Sequence, residues 1–117
     1  MSTALPFQST PEAAKQLRRQ LRQSQPGREP ALICQLGFEV RTRSGKLTEQ
    51  FQGEHFGIVY YNIGERPQAL HIELFGHDVS IVPDTLERLR GRTLTIRREV
   101  VGHGRFRKKK RDLLVAV

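Results

Sequence analysis

An alternating run in the first half of the chain most strongly limits the fold. The apolar members of the run are Leu32, Cys34, Leu36, Phe38 and Val40. Successive side chains of a strand point to opposite faces, so this period of two predicts a long strand with one buried face. Cys34 belongs to the apolar series and is expected to be a small core residue. Gly37, inside the run, predicts a bend or a bulge.

The remaining patterns predict a mainly β chain with two helices. Ser9-Thr10-Pro11-Glu12 is typical of a helix start, and an apolar stripe with helical spacing follows it, so an amphipathic helix is expected over residues 11–24. Proline early and glycine at the end predict a shorter helix over residues 83–91. Strands are expected over residues 31–41, 46–52, 56–63, 69–75, 93–101 and 113–117, with a short extension over residues 79–82. Together these elements predict a small closed barrel of five strands.

Length and composition indicate one domain with one core. The chain has 117 residues, of which 37% are hydrophobic and 27% charged, which is globular composition. Residues 1–30 are expected to form an N-terminal arm with the amphipathic helix, and residues 31–117 the barrel. The expected core consists of Leu32, Cys34, Leu36, Phe38, Ile72, Leu74, Leu94, Ile96, Leu113 and Val115.

The net charge of +8 is concentrated in two segments. Residues 12–22 carry four basic side chains and one acidic one, and residues 105–111 carry six basic side chains and no acidic one. The rest of the chain is close to neutral. A concentrated basic patch suits a polyanion, with nucleic acid as the first candidate and an anionic membrane surface as the second. For the scattered cations of the helix, a solvated surface is the simpler interpretation.

Several classes of protein are not expected. No apolar run approaches the ~20 residues that span a bilayer, and no signal peptide opens the chain, so a cytoplasmic protein without a membrane partner is predicted. The single cysteine, Cys34, excludes an internal disulfide framework and an all-cysteine metal site. The histidines lack metal-ligand spacing, and no catalytic or phosphate-loop motif occurs. We therefore expect no enzyme activity, no metal and no cofactor.

The second half of the chain carries an ordered series of short motifs. A strand ends in Leu74-Phe75-Gly76, a short helical segment ends in Arg90-Gly91, and a strand, a basic loop and a closing strand follow. This order, over about residues 69–117, resembles the bacterial single-stranded DNA-binding proteins, in particular a divergent primosome-type or plasmid-encoded relative. The resemblance implies an oligonucleotide-binding (OB) barrel. The leading helix and the absence of tryptophan depart from the family's pattern.

The predicted binding surface combines cations with aromatic rings. Binding of single strands needs positive charge to follow the phosphates and π-faces on which bases stack. The basic run is expected to be a loop that closes over the strand, with Phe106 inside it and Phe75 on an outward strand face as stacking residues. The predicted set is Phe75, His71, Arg97, Arg105, Phe106, Arg107, Lys108, Lys109, Lys110 and Arg111.

The expected function is therefore largely sequence-independent binding of single-stranded DNA, in replication, repair or plasmid maintenance. RNA offers the same phosphates and bases and is not distinguished. The alternative is a protein-interaction module whose basic loop and N-terminal helix dock on an acidic partner. An exposed edge strand and an amphipathic helix also predict a homo-oligomer, a dimer or a tetramer.

Overall fold

Nine elements follow one another in the parts of the chain that the structure describes. The structure is a computed structural model, and it describes residues 5–23, 26–66, 70–101 and 109–117. The elements are β1 (Gln8–Ser9), α1 (Pro11–Leu21), β2 (Arg28–Arg41), β3 (Leu47–Asn62), β4 (Leu70–Leu74), β5 (His77–Ile81), α2 (Pro83–Leu89), β6 (Thr93–Val101) and β7 (Lys109–Ala116).

Helix α1 begins where the sequence predicts it. Thr10 caps it, its Oγ1 accepting a hydrogen bond from the backbone N–H of Ala13 at 3.2 Å. The helix ends at Leu21, three residues before the predicted end. Its apolar stripe docks on the core of the sheet, where Leu17 and Leu21 are fully buried. Neither α1 nor α2, the helices within the described ranges, is long and apolar enough to span a bilayer.

The strands form one open, mixed sheet in the order β1-β6-β7-β3-β2-β5-β4. The hairpins β2–β3, β4–β5 and β6–β7 are antiparallel, whereas β5 joins β2 in parallel and β1 joins β6 in parallel. The mainly β class, the leading helix and the short helix between strands are confirmed. The five-stranded closed barrel is not, because seven strands pair in a sheet that stays open.

Two strand boundaries differ from the sequence-based expectation. Residues 46–52 and 56–63, expected as separate strands, belong to the single strand β3. The glycine between them, Gly53, is accommodated as an irregularity within the strand rather than as a turn. Strand β7 begins at Lys109, where Lys109, Lys110 and Arg111 pair with β6. The last three cations of the basic run therefore lie in a strand, not in a loop.

The hydrophobic core gathers side chains from the sheet and both helices. Of the expected core, Leu32, Leu74, Leu94, Leu113 and Val115 are buried. The residues Cys34, Phe38, Ile72 and Ile96 are half-buried. Leu36 contradicts the expectation, since it is 67% exposed.

A bulge in the β2–β3 hairpin explains the exposure of Leu36. Gln35 lies opposite His55, but Gly37 lies opposite Gln52, so β3 contributes an extra residue at this step. Gly37 has φ 148° and Gly53 has φ 140°, conformations that residues with a side chain rarely adopt. Beyond the bulge, no described strand other than its hairpin partner pairs with either strand. Leu36 therefore lies outside the core.

Candidate nucleic-acid interface

A groove of about 550 Å³ lies where α1, the β2–β3 hairpin and β7 meet. We call it the Phe38 groove. Its lining from α1 is polar, its lining from the two hairpin strands is mostly apolar and aromatic, and β7 contributes the end of the basic run. The residues used below are Gln16, Arg19, Gln20, Gln35, Phe38, His55, Arg111 and Asp112.

Three rings form a cluster at the hairpin bend. The ring centroids of Phe38 and Phe51 are 5.9 Å apart, and the His55 ring lies edge-on to both at 5.8 Å and 5.5 Å. These distances are within the range of favourable aromatic pairs. Phe38 and Phe51 are only half-buried, whereas His55 is 7% exposed. The cluster thus offers aromatic surface to a ligand while one of its members is fixed in the interior.

The bulge places Phe38 in the groove. Before the bulge, Leu32 and Cys34 contact the core cluster, and Ile33 and Gln35 line the groove. The strict alternation of the sequence would keep Phe38 on the same face as Cys34. The register shift after Gln35 reverses the assignment, so that Phe38 joins the groove lining.

Cations border the aromatic cluster. The guanidinium carbon of Arg111 lies 5.5 Å from the Phe38 ring centroid, within cation–π range. Arg19, exposed on α1, lines the same groove. Asp112 also lines it, but its carboxylate oxygen accepts from the Nε of Arg98 at 3.0 Å. The local charge therefore favours an anionic ligand.

Two glutamine amides are fixed by the protein at the groove. Gln20 Oε1 accepts from the backbone N–H of Ile58 at 2.8 Å. Gln35 Oε1 lies 3.0 Å from His55 Nε2. The Tyr60 hydroxyl donates to the Gln20 carbonyl oxygen at 2.6 Å, and burial raises the pKa of this phenol. The two bonds of Gln20 join the end of α1 to strand β3, and the contact between Gln35 and His55 joins β2 to β3.

The structure places part of the basic run beside this groove. Residues 105–108 lie outside the described ranges, and Phe106 among them. Lys109 and Lys110 lie opposite Val101 and Val100 in the β6–β7 ladder. Arg97 lies opposite Leu113, and Glu99 lies opposite Arg111, so these four side chains share one face. The structure thus brings Arg97 onto the Arg111 face, where Arg97 also pairs with Glu99 at 3.6 Å.

The two other predicted contact residues lie elsewhere. Phe75 and Gly76 form the two-residue turn between β4 and β5, and both have positive φ, as a type I′ turn requires. Phe75 is 37% exposed, in line with its expected outward position, and the Arg18 guanidinium lies 4.5 Å from its ring centroid. His71, on edge strand β4, is 3.0 Å from Asp78 Oδ1. Four strands separate β4 from β6 in the sheet.

Other chemically active groups serve the fold. The Glu54 carboxylate accepts from Arg88 at 2.8 Å and from Arg92 at 3.2 Å, which ties α2 to β3. Partial burial, and next the Glu54 charge, raise the pKa of the Cys34 thiol above its ordinary value, so that the thiol stays protonated at neutral pH. No group of three or more potential metal ligands is found among the residues that the structure describes.

The sequence-based search missed Phe51, His55 and Gln35, and it assigned Phe38 to the core. Gly37 was the available signal, since a glycine inside a strand can mark an irregularity after which the residues of that strand change face. Phe51 and His55 on β3 carried no comparable signal, because the irregularity at Gly53 decides which residues of β2 they face. Comparison with protein-family models, with curated proteins and with solved structures gives no match to this chain.

Proposed function

We propose that the protein binds single-stranded nucleic acid along the Phe38 groove. The observation that carries the proposal is the meeting of the half-buried Phe38 ring, which packs against Phe51, with the Arg111 end of the basic run in one open groove. Single-strand binding combines these two elements, a cationic path for phosphates and rings for bases. In a double helix the base faces are stacked on one another, so they are not available to stack on the aromatic cluster.

The proposed division of labour follows the structure. Phe38 provides the stacking surface, and Arg111 and Arg19 contact the phosphates on either side. The cations at 105–110 directly precede Arg111 in the sequence, and we expect them to add further phosphate contacts. The resemblance to single-stranded DNA-binding proteins supports the same conclusion from the sequence, although the open sheet departs from the barrel of that family.

A matched pair of substitutions tests the proposal. Phe38→Ala removes a ring from the groove, whereas Leu36→Ala removes an exposed apolar side chain two residues away on the same strand. Fluorescence anisotropy with labelled single strands should show ~1–3 kcal/mol weaker binding for Phe38→Ala, about 5- to 150-fold. Leu36→Ala should bind within about twofold of the parent, because a surface truncation has little effect.

Duplex of the same sequence provides the second control. Single strands should bind more tightly than duplex, and affinity should fall steeply between low and moderate salt. If Phe38→Ala binds as tightly as Leu36→Ala, the groove is not the site. If no oligonucleotide binds even at low salt, the protein-interaction alternative takes precedence.

A further inference from the structure

The groove has an unequal supply of hydrogen-bond donors and acceptors. The oxygen of the Gln20 side chain accepts from Ile58 N–H. The oxygen of the Gln35 side chain faces His55 Nε2 at 3.0 Å, and because an amide oxygen has no proton to donate, Nε2 must be the donor. Each amide oxygen therefore points toward the protein and already accepts one hydrogen bond from it, and each amide keeps an NH₂ donor group.

His55 fixes the orientation of the Gln35 amide. It is 7% exposed and held edge-on by two phenylalanine rings, so its own rotation is restricted. Its Nδ1 is buried without a hydrogen-bond partner among the described residues. In the arrangement that the structure has, the Gln35 oxygen faces the protonated Nε2 of the histidine, and the NH₂ group is the end that a ligand can use.

The charged groups of the groove add to the same bias. The guanidinium groups of Arg19 and Arg111 only donate hydrogen bonds. Asp112, the acid among the lining residues, is engaged by Arg98. Gln16 carries both a donor and an acceptor. Among these side chains donors outnumber acceptors, so a ligand that presents acceptor atoms complements the groove better than one that presents an amino group.

We propose that the Phe38 groove holds one unpaired base by its keto edge and so prefers uracil or thymine to cytosine. The inference rests on the proposed function. At position 4, uracil and thymine present a carbonyl oxygen and cytosine presents an amino group, so the Gln35 NH₂ group placed against this position pairs with the oxygen and is opposed by the amino group. The Phe38 ring supplies a face for stacking, and the groove volume of about 550 Å³ lies within the range of small-ligand sites.

Short homopolymers of deoxyuridine and deoxycytidine test the preference, because their bases differ only at this edge. The parent should bind the deoxyuridine oligomer at least about fivefold more tightly, the lower end of what a specific base contact contributes. Gln35→Met removes the amide at similar length and should reduce the ratio to under about twofold through loss of deoxyuridine affinity alone. Gln8→Met, on β1 and exposed, is the matched control and should keep the parent ratio.

Uridine and cytidine RNA oligomers form a second arm. They carry the same base edges, so the preference should persist whichever sugar gives the higher affinity. Equal binding of the two homopolymers, or an equal loss for both in Gln35→Met, would mean that the amides contact phosphate or only support the fold. The base preference would then be refuted while single-strand binding stood. Absence of binding to every oligomer at low salt would refute both.

Discussion

Gly37 is the position at which one added methyl group should affect the fold most. A Cβ built there lies 2.7 Å from the carbonyl oxygen of Phe51, which is backbone of the facing strand and cannot rotate away. At φ 148° the substituted residue would also carry backbone strain of ~1–3 kcal/mol. Moving the strand to relieve the clash adds ~1–3 kcal/mol. Alanine also restricts the unfolded chain, which offsets ~0.4–1 kcal/mol.

We therefore expect Gly37→Ala to lower the free energy of unfolding by ~2–5 kcal/mol. Gly45→Ala is the control, since Gly45 also has positive φ (88°) but has no atom near the added Cβ. It should cost ~1 kcal/mol from left-handed strain alone. Urea unfolding followed by circular dichroism measures both. Equal losses for the two variants would show that the strands do not approach closely at the bulge, and the account of Phe38's position would fail with it.

Two further predictions concern the basic run and the core. Replacing Lys108, Lys109 and Lys110 with alanine should weaken binding to all single strands alike and flatten the slope of log affinity against log salt by about 2, at ~0.7 per phosphate contact; unchanged binding at low salt would exclude the run as the electrostatic site. Leu74→Ala, at a fully buried position, should lower the free energy of unfolding by ~2–5 kcal/mol, and Leu36→Ala by less than ~0.5 kcal/mol; similar losses would contradict the assigned faces.

The sequence predicts elements better than it predicts their partners. Thr10-Pro11 marked the start of α1, and the alternation marked β2 and β4 as strands, because capping and period two are local properties; in β2 the predicted faces hold only as far as Gln35. The parallel pairing of β2 with β5 is a contact between residues about fifty positions apart. Nothing local in either strand specifies it, so an open mixed sheet was not foreseen.

The candidate site shows the same division. The basic run that ends at Arg111 is visible from composition alone, because its density of cations stands out in any window. To assign Phe38 to the groove, one must know where strand β2 changes face, and Gly37 indicates that position only in part. His55 and Gln35 meet across the hairpin at a register that depends on the bulge. From the sequence these two residues look like ordinary surface residues, but in the structure they form a fixed polar contact.

The bond between Gln20 and Ile58 has a consequence for solubility. Strand β3 pairs with β7 at Phe56, and beyond that pair its free edge is covered by the end of α1, through Ile58 N–H and the Tyr60 hydroxyl. An uncovered strand edge is a template for pairing with another molecule. The amphipathic helix α1 therefore shields this edge of β3 from pairing with a strand of another molecule. A chain shortened to begin after α1 would expose this edge and should polymerise, even though each remaining strand keeps its sequence.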